Sequence, residues 1–239
     1  MMLVLEGLHA GYAQGAVLHG IDLQVPEGKV VCLIGRNGAG KTSTMRAVVH
    51  DLIQIGQGRV VFDGADVTHL PAHAVIRLGI AYVPEDRRVF ANLTVAENLA
   101  VPKPWRIAGG GADWTIARVV ELFPQLGQFM SRKAGVLSGG QQQMLTIARS
   151  LLTNPRLLLL DEPNEGLAPV VADEVIAAIN RLKAEGVSMV VSEQHLRLVN
   201  ECADHIYAMD RGTIVFSGSP ADLAANPDVV RKYITLAQH

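Results

Sequence analysis

The sequence predicts an α/β fold: a core of buried, mostly parallel strands, an antiparallel β region ahead of it, and a helical segment inserted between two core strands. Three observations carry this expectation. Val30-Val31-Cys32-Leu33-Ile34 and Leu157-Leu158-Leu159-Leu160 are unbroken apolar runs of strand length, the pattern of strands covered on both faces. Each run ends in residues suited to chemistry, Gly35 to Thr42 after the first and Asp161-Glu162-Pro163 after the second. Between them, residues 94–152 change to helical periodicity. With 239 residues and 49% hydrophobic content, the chain can bury one large core, so a single domain over 1–239 is expected. Its core halves are placed at about 1–84 and 156–239 and the helical subdomain at about 85–155.

The first of these chemical stretches organises the rest. Gly35-Arg36-Asn37-Gly38-Ala39-Gly40-Lys41-Thr42 fits G-x-x-x-x-G-K-[ST] in the strand-loop-helix setting that this pattern requires. Its glycines let successive backbone N–H groups turn inward around anionic oxygens, and the helix starting near Gly40 points its positive end at the same place. Lys41 is assigned to the outer phosphates and the Thr42 hydroxyl to a magnesium ion. The reading is a nucleoside triphosphate site.

Composition narrows the partners. The 21 basic and 23 acidic residues leave a net charge of −2, so no global field marks a nucleic-acid binder. Cys32 and Cys202 have neither a disulfide framework nor metal-ligand spacing, which suits a reducing compartment. The start lacks a basic leader and no apolar run approaches the ~18 residues that cross a bilayer, so the expectation is a soluble chain whose membrane association comes through a partner.

In order, residues 3–8 and 17–25 read as strands around a turn at 11–15, and Tyr12 lies on this unit as a candidate to stack on an adenine base. A helix is expected over 43–52, a strand over 58–64, and a core strand over 79–83 that Pro84 breaks ahead of Glu85-Asp86-Arg87-Arg88. Thr94-Val95-Ala96-Glu97 offers a capping box. Gly109-Gly110-Gly111 marks a flexible loop, and Asp113 is the expected cap of the helix carrying Ile116, Val119, Val120 and Phe123. In Leu137-Ser138-Gly139-Gly140-Gln141, Ser138 is a good N-cap and the glycines permit close approach to the exposed N–H groups, a second anion-binding helix end. Asp161 is placed to hold magnesium through water and Glu162 to polarise an attacking water. A helix over 170–182, a strand over 187–192 and a hairpin around Asp210-Arg211-Gly212 complete the chain.

These residues together resemble the nucleotide-binding subunit of ABC transporters over nearly the whole length, with Leu137 to Gln141 looking like that family's signature. The resemblance implies a P-loop NTPase (RecA-like) core of ABC ATPase type. In it Gly35 to Thr42 is the Walker A loop, with Ser43 beside it at the nucleotide, Leu157 to Glu162 is Walker B, and Tyr12 is the adenine-stacking residue. It also implies ATP and Mg2+ as cofactors, with Thr42, Glu85 and Asp161 toward the metal. The resemblance further implies that two copies pair head to tail, so that Leu137, Ser138, Gly139, Gly140 and Gln141 of one would close over the ATP of the other. The pair is expected to be a homodimer or a heterodimer with a second ATPase subunit. By the same resemblance it is expected to sit on transmembrane permease subunits at the cytoplasmic face of the bacterial inner membrane and to serve a periplasmic solute-binding protein indirectly, without nucleic acid.

Three departures narrow the branch. Glu85 stands where glutamine is usual, Ala168 where aspartate is usual, and Gln194 where the switch histidine is usual, with His195 one residue on. Alternation along a strand favours Gln194 over His195 as the switch residue. Pro84-Glu85, Met144, Glu165-Gly166-Leu167-Ala168-Pro169 and Glu193-Gln194 resemble an ATPase subunit of branched-chain (hydrophobic) amino acid uptake systems, a group that also contains importers of urea and short amides. The permease is expected near Glu85 to Phe90, with Arg87, Arg88, Val89 and Phe90 as a mixed charged and apolar edge. Soluble ABC ATPases acting on DNA or ribosomes carry coiled-coil inserts, paired domains or basic extensions, none of which is visible here.

Overall fold

A computed structural model describes residues 1–104 and 113–234, so the Gly109-Gly110-Gly111 run lies outside the described residues. The elements are β1 (Leu3–Tyr12), β2 (Gly15–Val25), β3 (Val30–Ile34), α1 (Lys41–Val49), β4 (Gln54–Phe62), β5 (Ala65–Asp66), α2 (Ala72–Arg77) and β6 (Ile80–Val83). The helical stretch holds α3 (Val95–Ala100), α4 (Ile116–Leu122), α5 (Pro124–Gln128), a 3-10 turn (Ala134–Val136) and α6 (Gly139–Leu151). Then follow β7 (Leu157–Asp161), α7 (Pro169–Ala184), β8 (Ser188–Glu193), α8 (Leu196–Cys202), β9 (His205–Asp210), β10 (Thr213–Gly218), α9 (Pro220–Ala224) and α10 (Pro227–Tyr233).

Two sheets form. One is antiparallel in the order β2-β1-β4-β5; the other runs β10-β9-β3-β8-β7-β6, parallel throughout except for the β10 hairpin at its edge. The apolar runs sit in the middle of the parallel sheet, and alternation distributes them between two cores. Val30, Cys32 and Ile34 of β3, with Leu158 and Leu160 of β7, join the cluster formed with α3, α4, α6 and α7. Val31, Leu33, Leu157 and Leu159 join the cluster under the antiparallel sheet and α1. The parallel sheet is therefore the shared middle layer, and its strand ends fix what the loops present. Leu159 is fully buried between β6 and β8, so Leu159→Ala is expected to cost about 2–5 kcal/mol, read as a lower denaturation midpoint.

Several expected boundaries shift. Strands β1, β2 and β4 are longer than their apolar alternation suggested, because each pairs along its polar end as well. Helix α1 begins at Lys41, not Ser43, and stops at Val49, since His50 and then Leu52 take left-handed backbone conformations that end a helix. Asp113 does not cap α4. Thr115, adjacent to the first helical residue, accepts from the Arg118 N–H, while Asp113 lies two positions too early and accepts from Asn154 Nδ2 at 2.9 Å. The capping boxes at Thr94/Glu97 and Ser138/Gln141 form as their sequences require.

Candidate functional site

The site is assembled where β3, β7 and β8 end side by side. After Ile34 the chain enters the loop with Gly35 at φ 156° and Gly40 at φ 110°, conformations that favour glycine. A Cβ on Gly35 would lie 2.5 Å from the Met209 carbonyl oxygen, so β9 leaves no room for a side chain there. Lys41 opens α1 and is 4% exposed. Its Nζ donates to the carbonyls of Gly35 at 2.8 Å and Arg36 at 3.3 Å and pairs with Glu162 Oε1 at 3.0 Å.

At the end of β7 the two acids point to different partners. Asp161 Oδ1 accepts from Thr42 Oγ1 at 3.1 Å and from Ser192 Oγ at 2.6 Å, and Oδ2 accepts from the Tyr82 hydroxyl at 2.9 Å. Glu162 leaves the strand in a left-handed conformation, φ 46°, and its N–H donates to Ser192 Oγ at 2.9 Å. Gln194 Nε2 donates to Glu162 Oε2 at 2.6 Å. The carboxylate of Glu162 is thus held between the loop lysine and Gln194, while Asp161 is tied to the loop threonine. His195 is exposed at the start of α8 and makes no capping bond. Of the two switch candidates, the structure brings Gln194 to the acid.

Thr42 and Asp161 together present hard oxygen atoms of the kind that suits magnesium. Among the described residues no group of three or more His, Cys, Asp or Glu side chains could hold a metal ion, so a divalent ion here needs ligands from phosphate and water as well. Glu85 lies on the exposed rim; burial raises its carboxyl above the ordinary value, and the negative charges of Glu162, Asp161 and Glu165 raise it further. Tyr12, at the end of β1, has its hydroxyl 3.3 Å from Ser43 Oγ. The loop residues Asn37 and Gly38 are exposed and Ala39 is buried against the antiparallel sheet's core.

The second helix end is separate. Ser138 is exposed and caps α6, with Gln141 N–H donating to its hydroxyl at 3.3 Å and Gln141 Oε1 accepting from its N–H at 3.0 Å. Leu137 is buried ahead of it. Side chains from this chain take the close approach that the two glycines allow. A Cβ on Gly139 would collide with the Arg87 guanidinium, and one on Gly140 with Val171 of α7. Of the edge expected at residues 87–90, Arg87 is half-buried and folds across Gly139 to the Glu165 carbonyl, Val89 packs partly on the core, and Arg88 and Phe90 are at the surface.

Sequence reasoning missed Tyr82 and Ser192, both of which hold Asp161. Ser192 was within reach, because it lies two residues before Gln194 on the same strand-end face. Tyr82 had no comparable signal, since only the pairing of β6 with β7 brings it alongside.

Glu193 is a further buried acid that the sequence did not single out. Burial pushes its carboxyl up to about 7, against lowering by the backbone N–H groups of His195, Gln194 and Asn164; the charge of Glu162 adds to the rise. Its Oε1 is buried without a hydrogen-bond partner, as a protonated carboxyl oxygen would tolerate. Below the ordinary value near 4.5 both folded and unfolded chains carry the proton; between 4.5 and 7 the unfolded chain releases it first, so stability falls as pH rises through this window. Glu193→Gln is therefore expected to flatten the decline, which is on the order of 3 kcal/mol in the parent. Denaturant titrations of both proteins at pH 4.5 and pH 8 measure it, and an unchanged difference would contradict the assignment.

Fold and site define a nucleotide-binding ATPase of the P-loop class. The chain belongs to the ABC transporter family, whose pattern it matches over residues 18–165. It is 38% identical to the high-affinity branched-chain amino acid transport ATP-binding protein BraG of Pseudomonas aeruginosa, covering 98% of this chain and 99% of that one. It is 34% identical to the probable branched-chain amino acid transport ATP-binding protein LivF of Archaeoglobus fulgidus, covering 93% and 94%. A crystal structure of the ADP conformation of an ATP-binding cassette of an ABC transporter superposes with a TM-score of 0.80 at 29% identity, over 96% and 97% of the two chains. Among the described residues no helix is long and apolar enough to cross a membrane.

Proposed function

We propose that this chain is the ATP-hydrolysing subunit of an importer for branched-chain or other hydrophobic amino acids. The observation that carries the hydrolytic part is the placing of Glu162 between Lys41 and Gln194, beside the loop that Thr42 shares with Asp161. Backbone N–H groups of the loop and Lys41 bind the β- and γ-phosphates of ATP, and Tyr12 stacks on the adenine. Thr42 and Asp161, with Glu85 at the rim, would hold magnesium, which when bound supplies positive charge to the phosphate oxygens. Glu162 accepts a proton from the attacking water, Gln194 holds that carboxylate in orientation, and the products are ADP and inorganic phosphate.

Of the signature residues Leu137 to Gln141, Ser138 is exposed at the start of α6, and none of the five has a hydrogen bond to the 35–42 loop among the described residues, which supports their use against the nucleotide of a second copy. Val136 and Val170 are 73% and 71% exposed apolar side chains suited to burial in such a pair. The partner is another copy or a second ATPase subunit, and the pair works beneath permease subunits on the cytoplasmic face, with the helical segment 85–155 as a subdomain beside the core. Support for the amino acid class comes from the names of the two relatives above.

Two measurements test the reading. Phosphate release from ATP by the purified chain, retained nucleotide binding and lost release on Glu162→Gln identify an ATPase; binding without release in the parent would make it a nucleotide-regulated module instead. Copurification with membrane permease subunits, followed by identification of the solute on the associated binding protein, tests the transport assignment. Urea or a short amide as that solute would redirect the substrate class, and copurifying nucleic acid would sink the transporter reading.

A further inference from the structure

Arg87 links three segments that the proposed mechanism needs in register. It follows the β6 strand end in a left-handed conformation, φ 59°, and its backbone carbonyl accepts from the Thr146 hydroxyl in the middle of α6. The neighbouring residues are stitched to the same helix, since Arg149 donates to the Arg88 carbonyl at 2.6 Å and lies over the Phe90 ring at 4.7 Å. The guanidinium then forks. Nη2 donates to the Glu165 carbonyl at 2.9 Å, in the loop that leaves Asp161 and Glu162, while Nη1 lies across Gly139 in the space a Cβ would occupy. Gly166 is close by, its Cβ position 3.6 Å from the same Nη2.

We propose that Arg87 is a positioning residue that clamps the start of α6 to the loop following Asp161 and Glu162, so that the N-terminal turn of α6 after Ser138 keeps one orientation relative to Glu162. The inference rests on the two-copy reading given above for its functional consequence, and on this chain alone for the clamp. Gly139 then gives passage to a planar cation, whereas Gly140 allows close packing on Val171. Arginine suits the role because its fork reaches two targets in one plane; a lysine ammonium has a single point of charge and cannot lie across Gly139 while donating to Glu165.

A double-mutant cycle on the nucleotide-free chain tests the clamp. Because the Gly139→Ala Cβ meets the movable end of Arg87 and displaces it from the Glu165 carbonyl, the readout is the coupling: the change in thermal unfolding midpoint on Gly139→Ala is expected to be about 1–3 °C more unfavourable with Arg87 present than in the Arg87→Ala background. Gly140→Ala, which meets Val171, is expected to lower it in both backgrounds. Equal losses for Gly139→Ala with and without Arg87 would overturn the clamp. The functional arm uses the Glu162→Gln chain with magnesium and ATP, read by size-exclusion chromatography. Adding Arg87→Ala is expected to leave the single-copy ATP affinity within about threefold and to weaken ATP-dependent pairing about tenfold, with no rescue by Arg87→Lys. Pairing as strong as in the parent, or restored by lysine, would overturn the role. If the Glu162→Gln parent itself fails to pair with ATP, the two-copy reading falls together with the use assigned to the clamp, and the unfolding cycle still decides the clamp.

Discussion

Glu162→Gln is expected to lower ATP turnover by about 10²–10⁴-fold while ATP binding persists, because the substitution removes a proton acceptor without removing a phosphate contact. The geometry makes this a sharp test. Glu162 is 8% exposed, and its two oxygens are divided between Lys41 and Gln194, so the side chain has one available orientation. Glutamine has the same shape. Its amide oxygen can still accept from Lys41, but its amide nitrogen meets the Gln194 amide donor, which must rotate to offer its oxygen instead. Rapid-mixing phosphate release with a parallel binding titration separates the two effects. A variant that turned over ATP within tenfold of the parent would remove Glu162 from the chemistry.

Lys41→Ala is expected to have the opposite signature, a loss of nucleotide affinity. Its buried Nζ donates to two loop carbonyls and pairs with Glu162, which places its charge at the mouth of the phosphate loop. Truncating one member of a buried charge pair typically costs about 2–5 kcal/mol in binding, which corresponds to roughly 30-fold to a few thousandfold in dissociation constant. The same truncation leaves the Glu162 carboxylate buried with Gln194 as its remaining side-chain partner, so a lower unfolding midpoint is also expected. Lys41→Met retains the apolar stem among its neighbours and separates lost charge from lost packing. Equilibrium titration with ATP is the measurement; parent-like affinity in a folded Lys41→Met protein would disprove the assignment.

Much of this architecture could be read along the chain. The apolar runs of β3 and β7 specified strands covered on both faces, the glycine pattern specified the loop between β3 and α1, and Ser138 and Thr94 specified their helix starts, because each of these depends on neighbours within a few residues. Asp161 and Glu162 were legible for the same reason, as acids placed directly after a buried strand. Strand alternation separated Gln194 from His195, and in the structure Gln194 donates to Glu162 while His195 is exposed at the start of α8.

Other features had no local signal. Asp113 was the expected cap of α4, but the helix starts at Ile116, so Thr115 takes the capping position and Asp113 accepts from Asn154 instead. Tyr82 reaches Asp161 only because β6 lies beside β7, 79 positions apart along the chain. Arg87 read as a charged surface residue in a run of four, and its inward turn follows from the packing of α6 and the 162–166 loop on either side of it.

Residue order alone determined which elements form and where the glycine loop and the strand-end acids fall, because propensity, alternation and capping act over a single turn or strand. Tertiary structure decided which acid meets Lys41, which hydroxyls hold Asp161 and what passes over Gly139. Those contacts join segments 31 to 121 residues apart; the pairing of strands in one sheet brings the acids to Lys41, Thr42 and Ser192, and the packing of α6 brings Gly139 under Arg87.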